Sequence, residues 1–408
     1  MKKMILASCL VASTMAFAQW GGGMGGFGGP QGGGSVPNAT KTADVNYVGD
    51  GKGYHTLDIY IPQEAKESYP VVIHTYGSAW SMNNMKGSAD LSTICAAYAK
   101  AGYAVVTPNH RSADDAIYPA QLHDIKAVVR FVRGNAAKYK FDTSFIAVSG
   151  FSSGGHLSSL VATTCGLKEG KSGSVTVDLV GDLGEYTSYS SCVDGAVLWS
   201  PPTDIYTMNP ISMGGSGTME GKFIGVEREG NKDKWMVASS PYYASDDDPP
   251  VIIFHGDKDP VVNFGQSQEL YDSLKKHNVV VELDTVPNGE HGGNVMYATE
   301  NLNKAVAFLD AAREAKASAS VEPPSDTSAQ DTSTVAPPDS SVQDTSTTAL
   351  PEVRSFSMHR ESYRVYSLDG TLVMKSSTLD LSRLNPGVYY VVATTRTGAR
   401  QTFRYAKR

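Results

Sequence analysis

Short continuous apolar runs alternate with longer amphipathic stretches through the middle of the 408-residue chain. The apolar runs predict strands at residues 56–61, 71–75, 104–107, 145–149, 196–199, 251–255 and 279–284. Helical periodicity predicts helices at residues 91–101, 120–139, 154–164, 266–277 and 299–315. Because continuous apolar strands that alternate with helices are typical of parallel sheets, this order predicts an α/β fold in which helices cover both faces of a mostly parallel sheet.

The N-terminus has a different pattern. Lys2 and Lys3 precede an apolar stretch and the small-residue sequence Ala-Phe-Ala, which predicts a secretory signal peptide over residues 1–18. The apolar stretch is too short to span a bilayer and no other segment is a candidate, so we expect an exported protein, extracellular or on the cell surface, with no membrane span. Residues 19–37 are rich in glycine and predict a flexible leader.

Composition divides the rest of the chain into three parts. Residues 38–316 have the composition and periodicity of one globular domain, whereas residues 317–352 are rich in Ser, Thr, Pro and Asp and predict a disordered linker. Residues 353–408 again contain apolar runs of strand type, on both sides of an Asp-Gly turn at Asp369, and predict a small all-β module.

Net charge bears on the class of partner, and the cysteines bear on disulfide bonds and metal sites. A formal net charge of −7 and a pI near 5.7 argue against nucleic acid or an anionic membrane as the main partner. Cys165 and Cys192 bracket a polar loop, and in an oxidising compartment we expect them to form a disulfide, while Cys95 is expected to be a buried thiol. No Cys-x-x-Cys spacing points to a metal site.

The motif that carries most chemistry is Gly150-Phe151-Ser152-Ser153-Gly154, which reads G-x-S-x-G. A strand pattern precedes it and a helix pattern follows it, and this context predicts a nucleophile elbow. In such an elbow the chain makes a sharp turn that lifts the serine hydroxyl above the sheet. Ser152 is therefore the predicted nucleophile.

A serine nucleophile needs a base and an orienting carboxylate, which follow it in the chain order Ser, Asp or Glu, His. Among the later histidines, His291 lies in a glycine-rich loop between the last strand and the last helix, and it is the predicted base. His255 ends a strand and is expected to pack or support the next turn. The acid is predicted to be Asp259, with Asp257 as the alternative.

The oxyanion of an acyl-transfer intermediate needs N–H donors. One is the backbone N–H of Ser153. The second is expected from the turn after the strand at residues 71–75, where Ser78 or Ala79 supplies the N–H. An ordinary strand-to-helix loop is the alternative interpretation of this turn. The predicted chemistry needs no metal and no organic cofactor.

These motifs together resemble the esterase/lipase branch of the α/β-hydrolase superfamily, and residues 54–311 are similar to secreted carbohydrate esterases of the feruloyl and acetyl-xylan type. The resemblance rests on five segments: residues 109–111 with 118–124, 150–156, 202–204, 255–262 and 290–293. It implies an α/β-hydrolase fold with Ser152, Asp259 and His291 as the triad. It also implies that Arg111 and Asp124 form a buried structural pair.

The resemblance departs from the family pattern at the oxyanion turn. The family usually reads His-Gly-Gly-x-Trp, whereas this chain reads Tyr76-Gly77-Ser78-Ala79-Trp80. The hydroxyl of Tyr76 is therefore an additional candidate donor, and Tyr76, Trp80 and Tyr206 are expected to contact substrate.

The expected function is that of a secreted serine esterase that removes acetyl or feruloyl groups from plant cell-wall polysaccharide. The alternatives are an exopeptidase of the prolyl-oligopeptidase type and a non-catalytic, glycan-binding adhesin on a hydrolase scaffold. Residues 353–408 resemble C-terminal sorting domains of bacterial type IX secretion systems, which implies the secretion machinery as a partner. A small β module that binds glycan is the alternative for this tail.

Overall fold

The computed structural model describes residues 34–87, 90–320, 360–367, 372–376, 384, 387–395 and 400–407. The predicted signal peptide and nearly all of the predicted leader and linker lie outside these residues. The described residues fall into two compact units, one that ends at Ser320 and one that begins at Arg360.

The first unit contains ten strands among its described residues. They are β1 (Ala39–Asn46), β2 (Thr56–Pro62), β3 (Tyr69–Thr75), β4 (Ala104–Pro108), β5 (Phe141–Phe151), β6 (Glu169–Ser172), β7 (Val175–Asp178), β8 (Gly195–Trp199), β9 (Val251–Gly256) and β10 (Val281–Val286). Eight of them form one sheet in the order β1-β2-β4-β3-β5-β8-β9-β10. The strands from β4 to β10 in this order are parallel to one another, whereas β1 and β2 run antiparallel at one edge.

The helices of this unit follow the strands in the chain. They are α1 (Ala96–Lys100, preceded by the π-helical turn Leu91–Cys95), α2 (Ala120–Gly134), α3 (Ala136–Tyr139), α4 (Ser153–Thr163), α5 (Met219–Ile224), α6 (Lys232–Met236), α7 (Gly265–Lys276), α8 (Gly293–Met296) and α9 (Thr299–Ser320). Among the described residues, no helix is long and apolar enough to cross a membrane.

Two hydrophobic cores lie on opposite faces of the sheet. Along β3, Val71 and Ile73 belong to one core, and Val72 between them belongs to the other. The first core also contains apolar side chains of α2, α4 and α7, and the second contains side chains of α1 and α9. Because both faces of β3 are covered, all seven of its residues are buried, which explains the continuous apolar pattern. The predicted α/β fold is therefore confirmed.

The structure differs from the predicted elements where the pattern is weak. Strand β1 and the hairpin β6–β7 were not predicted, because β1 is mostly exposed and all but one of the hairpin residues are exposed or only partly buried. The helix predicted at residues 120–139 is divided at Asn135 into α2 and α3. The last helix extends to Ser320, four residues beyond the domain end predicted at residue 316.

The second unit is an antiparallel sheet. Its described strands are β11 (Arg360–Ser367), β12 (Leu372–Ser376), β13 (Gly387–Thr395) and β14 (Arg400–Lys407), in the order β12-β11-β13-β14. This all-β architecture agrees with the strand pattern of residues 353–408. The identity of the unit as a sorting domain stays a prediction.

A disulfide joins Cys165, just after the end of α4, to Cys192, just before β8. The two cysteines are separated by 27 residues, and the hairpin β6–β7 lies within the loop that they close. The bond therefore joins the end of helix α4 to the start of strand β8 and closes the loop between them.

Replacing both cysteines by alanine should lower the free energy of unfolding by about 3 kcal/mol, because a closed loop of this length restricts the unfolded chain. Equilibrium urea unfolding of the oxidised protein and of Cys165→Ala/Cys192→Ala measures the difference. The wild type in reducing agent should resemble the double variant. Coincident unfolding curves for the oxidised protein and the variant would contradict the prediction.

Candidate active site

The candidate active site lies at the carboxyl end of β5, where the chain turns sharply into α4. Ser152 occupies this turn with φ 53° and ψ −124°, a backbone conformation that residues with a side chain rarely adopt. Its N–H donates to the carbonyl oxygen of Trp199 on the neighbouring strand β8. The structure therefore places Ser152 in a strand–turn–helix elbow between two central strands.

Two glycines allow the turn to pack closely against its surroundings. A Cβ on Gly154 would overlap the carbonyl oxygen of Thr75 at the end of β3. A Cβ on Gly77 would lie 2.7 Å from the Cβ of Ser152 and 2.8 Å from the carbonyl oxygen of Phe151. Glycine is thus needed at both positions because backbone segments approach the elbow directly.

Ser152, His291 and Asp259 form a continuous hydrogen-bonded chain. The Oγ of Ser152 lies 2.9 Å from Nε2 of His291, and Nδ1 of His291 lies 2.8 Å from Oδ2 of Asp259. These contacts connect three loops that follow β5, β9 and β10. A hydroxyl, an imidazole and a carboxylate in this order can transfer the serine proton to the imidazole and stabilise the cation that results.

Asp259 is held by the turn in which it lies. Its Oδ1 accepts the N–H groups of Val261 and Val262, each at 2.9 Å. Burial alone would raise the pKa of the Asp259 carboxyl, but the contacts with His255 and His291 and the backbone donors together hold it well below its usual range. The carboxylate is therefore charged at neutral pH and oriented toward His291.

Asp257, the alternative acid, lies on the other side of this turn. Its Oδ1 accepts the N–H of Asn288, at 2.7 Å, which joins the turns after β9 and β10. The structure thus brings Asp259, and not Asp257, into contact with His291.

The remaining histidines near the site have structural partners. His255 lies between Ser267 Oγ, at 2.6 Å from Nδ1, and the carbonyl oxygen of Val262, at 2.9 Å from Nε2. It thereby supports the Asp259 turn, as expected. His156 is fully buried in α4, and burial lowers its pKa to about 4, so it stays neutral.

The predicted oxyanion turn differs in detail from the expectation. The N–H of Ser78 donates to the side-chain Oγ of Ser153, at 2.8 Å. This N–H is therefore directed at Ser153, the residue after Ser152. Ala79 is next to it in a left-handed conformation, with φ 48°. Ser153 is the first residue of α4. Its N–H has no partner within the helix, because the first backbone N–H groups of a helix precede the regular hydrogen-bond pattern.

Two predicted substrate contacts are corrected by their burial. Tyr76 is 1% exposed, stacks on His110 and donates its hydroxyl to the carbonyl oxygen of Met82, at 3.1 Å. Its hydroxyl is therefore not an oxyanion donor.

Trp80 is also 1% exposed. Its ring stacks on Phe223, and its Nε1 donates to Nδ1 of His156, at 3.2 Å. Trp80 is a core residue beneath the site, because Phe223 in the segment after β8 covers it.

Tyr206, the third predicted substrate contact, is partly exposed. Its ring lines a surface cavity of about 680 Å³, with the ammonium of Lys232 5.6 Å from the ring centre. Residues of β7 and α6 also line this cavity. Tyr206 is thus positioned at an open surface and stays a candidate for contact with a sugar.

Arg111 and Asp124 form the buried pair that the resemblance implied. Arg111 donates from Nη2 to Oδ1 of Asp124, at 2.7 Å, and its backbone N–H donates to Oδ2, also at 2.7 Å. Asp124 is fully buried on α2. The pair fixes the loop after β4 to this helix and has no contact with the triad.

In the described part of the chain, no three His, Cys, Asp or Glu side chains form a group that could hold a metal ion.

Comparison with known proteins identifies the family. Residues 57–274, more than half of the chain, match the BD-FAE family. The chain belongs to the BD-FAE family. The match includes the elbow and Asp259, and it ends before His291.

Solved structures and curated proteins agree with this assignment. A truncated form of a carbohydrate esterase from gut microbiota is 40% identical, with a TM-score of 0.66 over 70% of this chain and 100% of that chain. A bifunctional GH43-CE protein of Bacteroides eggerthii is 41% identical, with a TM-score of 0.64 over 67% of this chain and 35% of that chain. Esterase LipQ of Mycobacterium tuberculosis is 25% identical over 67% of this chain.

The chain spans about six-tenths of the length of the first curated relatives that it matches, 62% and 59%. At the level of the family, the prediction of a carboxylic ester hydrolase is confirmed.

Replacing Asp259 by asparagine should lower kcat for ester hydrolysis by about 10³–10⁴-fold, because the amide no longer stabilises the cationic form of His291. Asp257→Asn is the matched control: it changes the same chemical group two residues away, and its kcat should change little. Steady-state kinetics on an activated ester compares them. A larger loss in Asp257→Asn would reassign the acid.

Replacing Gly77 by alanine should reduce kcat by about 10²-fold, because the added methyl displaces either Ser152 or the turn that faces it. Gly53→Ala is the control, since a Cβ there meets no atom within 4 Å. Both variants should stay folded by circular dichroism. Unchanged turnover in Gly77→Ala would show that this close approach does not position the nucleophile.

Proposed function

We propose that the protein is a secreted serine esterase that removes acetyl or feruloyl groups from plant cell-wall polysaccharide. The observation that carries this proposal is the hydrogen-bonded chain from Ser152 through His291 to Asp259, with the serine on a strained elbow. The carbohydrate esterase from gut microbiota, 40% identical over its full length, supports a carbohydrate ester as the substrate class.

The mechanism begins with proton transfer from Ser152 to His291. The serine oxygen attacks the ester carbonyl, and negative charge develops on the carbonyl oxygen. His291 then returns the proton to the departing sugar alcohol, which leaves the acyl group on Ser152. A water molecule, deprotonated by His291, attacks the acyl-enzyme and releases the acid. Asp259 keeps the imidazole oriented and stabilises its charge in both halves of the reaction.

The segment between β8 and β9 is the proposed substrate-facing part of the protein. It contains α5 and α6 and contributes Tyr206 to an open cavity, whose lining residues include no member of the triad. Trp235 from this segment is fully buried, whereas Tyr242 is exposed. A saccharide could stack on exposed aromatic rings, so Tyr206 and Tyr242 are better candidates than Trp235 for contact with sugar.

The proposal that the protein is exported rests on two segments of its sequence. The signal-peptide pattern of residues 1–18 supports secretion, and the resemblance of residues 353–408 to sorting domains supports a contact with secretion machinery.

Hydrolysis of a substrate panel tests the proposal. The purified full-length chain should hydrolyse p-nitrophenyl acetate, and either methyl ferulate or acetylated xylan, because its site contains the groups for acyl transfer to serine. Ser152→Ala should reduce turnover by about 10⁴-fold or more while the protein stays folded. The ratio of acetyl to feruloyl turnover then identifies the acyl group.

The controls separate the alternatives. A dipeptide amide is included in the panel, and amide turnover without ester turnover would favour the exopeptidase. Absence of all turnover, together with binding to a polysaccharide, would favour the adhesin. Full ester turnover in Ser152→Ala would show that the nucleophile lies elsewhere.

A further inference from the structure

The side chain of Ser153, directly after the nucleophile, makes a polar contact that the triad does not use. Its Oγ accepts the backbone N–H of Ser78, at 2.8 Å. Ser153 and Ser78 are 1% and 5% exposed, so bulk water competes little for this contact. The Ser153 hydroxyl therefore bridges the elbow and the turn after β3, the two segments expected to supply oxyanion donors.

The bridge occupies one of the two N–H groups that were expected as oxyanion donors in the turn after β3. The proton of the Ser78 N–H is directed at Ser153 Oγ. A serine hydroxyl both accepts and donates, and none of the described residues accepts a hydrogen bond from Ser153. Its O–H proton therefore has no protein acceptor among the described residues.

A second observation concerns the hydroxyl of Ser78 in the same turn. The Oγ of Ser78 is buried and has no hydrogen-bond partner among the residues that the structure describes. Buried polar groups in native proteins are nearly always satisfied, so an unsatisfied hydroxyl at a candidate site requires an explanation. A substrate oxygen or a water bound beside this turn would supply one.

We propose that Ser153 is a further catalytic residue whose hydroxyl donates to the oxyanion of the tetrahedral intermediate. This inference rests on the esterase function proposed above. In the addition step, the bond from Ser152 Oγ to the carbonyl carbon forms and the serine proton moves to His291. The electron pair of the C=O π bond moves to the carbonyl oxygen, where the Ser153 N–H and O–H stabilise it without transferring a proton.

The Ser78 N–H has an indirect function in this arrangement. By donating to Ser153 Oγ it polarises the hydroxyl, and hydrogen bonds linked in a chain strengthen one another in a buried site. It also fixes the hydroxyl before substrate binds, and preorganised donors are the ones that stabilise developing charge most effectively. Ser78 is thus a positioning residue for Ser153.

If the Ser153 hydroxyl competes with the oxyanion for the Ser78 N–H, the expected change in turnover has the opposite sign. If the Ser153 hydroxyl merely occupied the Ser78 N–H, its removal would release that N–H for the oxyanion. Turnover would then rise, or stay unchanged, when Ser153 is replaced by alanine. The direction of the change therefore separates a donor from a competitor.

Kinetics of the full-length Ser153→Ala variant on p-nitrophenyl acetate tests the proposal. We expect kcat to fall by about 10–100-fold with KM little changed, because a donor acts on the intermediate and not on the bound ester. Inhibition by an aryl trifluoromethyl ketone, which adds to Ser152 as an oxyanion-like hemiketal, should weaken by a similar factor. A packing role would not make these two losses equal.

Two further variants keep the test decisive. Ser159→Ala is the matched control, since Ser159 is a buried serine of the same helix whose hydroxyl contacts His156 and Ser240. Its kcat and ketone affinity should equal those of the wild type. Ser153→Cys, whose thiol is a weaker donor, should show an intermediate loss and replaces the alanine variant if that variant does not fold.

Wild-type kcat and ketone affinity in Ser153→Ala, or faster turnover, would overturn the inference. So would equal losses in Ser153→Ala and Ser159→Ala, which would indicate a general effect on the helix. Failure of the underlying esterase function has a different signature, namely no ester turnover in the wild type or undiminished turnover in Ser152→Ala.

Discussion

The strained backbone of Ser152 is the constraint on which the rest of the site depends. A residue with a side chain at φ 53° and ψ −124° costs of order 1–3 kcal/mol, so the surrounding structure must hold it there. It does so with parallel strands on both sides of β5, with the hydrogen bond from Ser152 N–H to Trp199, and with Gly154 packed on the end of β3. Ser152 therefore lies at the end of a central strand of the sheet.

The other members of the triad depend on the same sheet. Strands β9 and β10 pair in parallel, so the loops that follow them emerge at the same edge as the elbow. Asp257 joins these two loops, Asp259 contacts His291, and His255 supports the turn from below. Two carboxylates that lie two residues apart thus make separate contacts, Asp257 with the loop after β10 and Asp259 with His291.

The turn after β3 shows how a departure from the family pattern is accommodated. Tyr76 replaces the usual histidine but is buried against His110, and Ser78 replaces a glycine and directs its N–H to Ser153. The second serine of the Gly-x-Ser-Ser-Gly sequence is consequently part of the same polar contact. Ser78 in the turn and Ser153 after Ser152 therefore form one local arrangement.

The amino-acid sequence by itself determined the features that depend on neighbouring residues. Buried strands, the helix after the elbow, and the order Ser152, Asp259, His291 are visible as patterns, because burial and backbone preference are encoded locally. Tertiary structure decided which atoms meet across the sheet. The contacts of Ser78 with Ser153 and of Ser152 with His291 join residues 75 and 139 positions apart. Such contacts depend on strand order and register, as do the burial of Trp80 and the pairing of polar β1, and no local pattern specifies these.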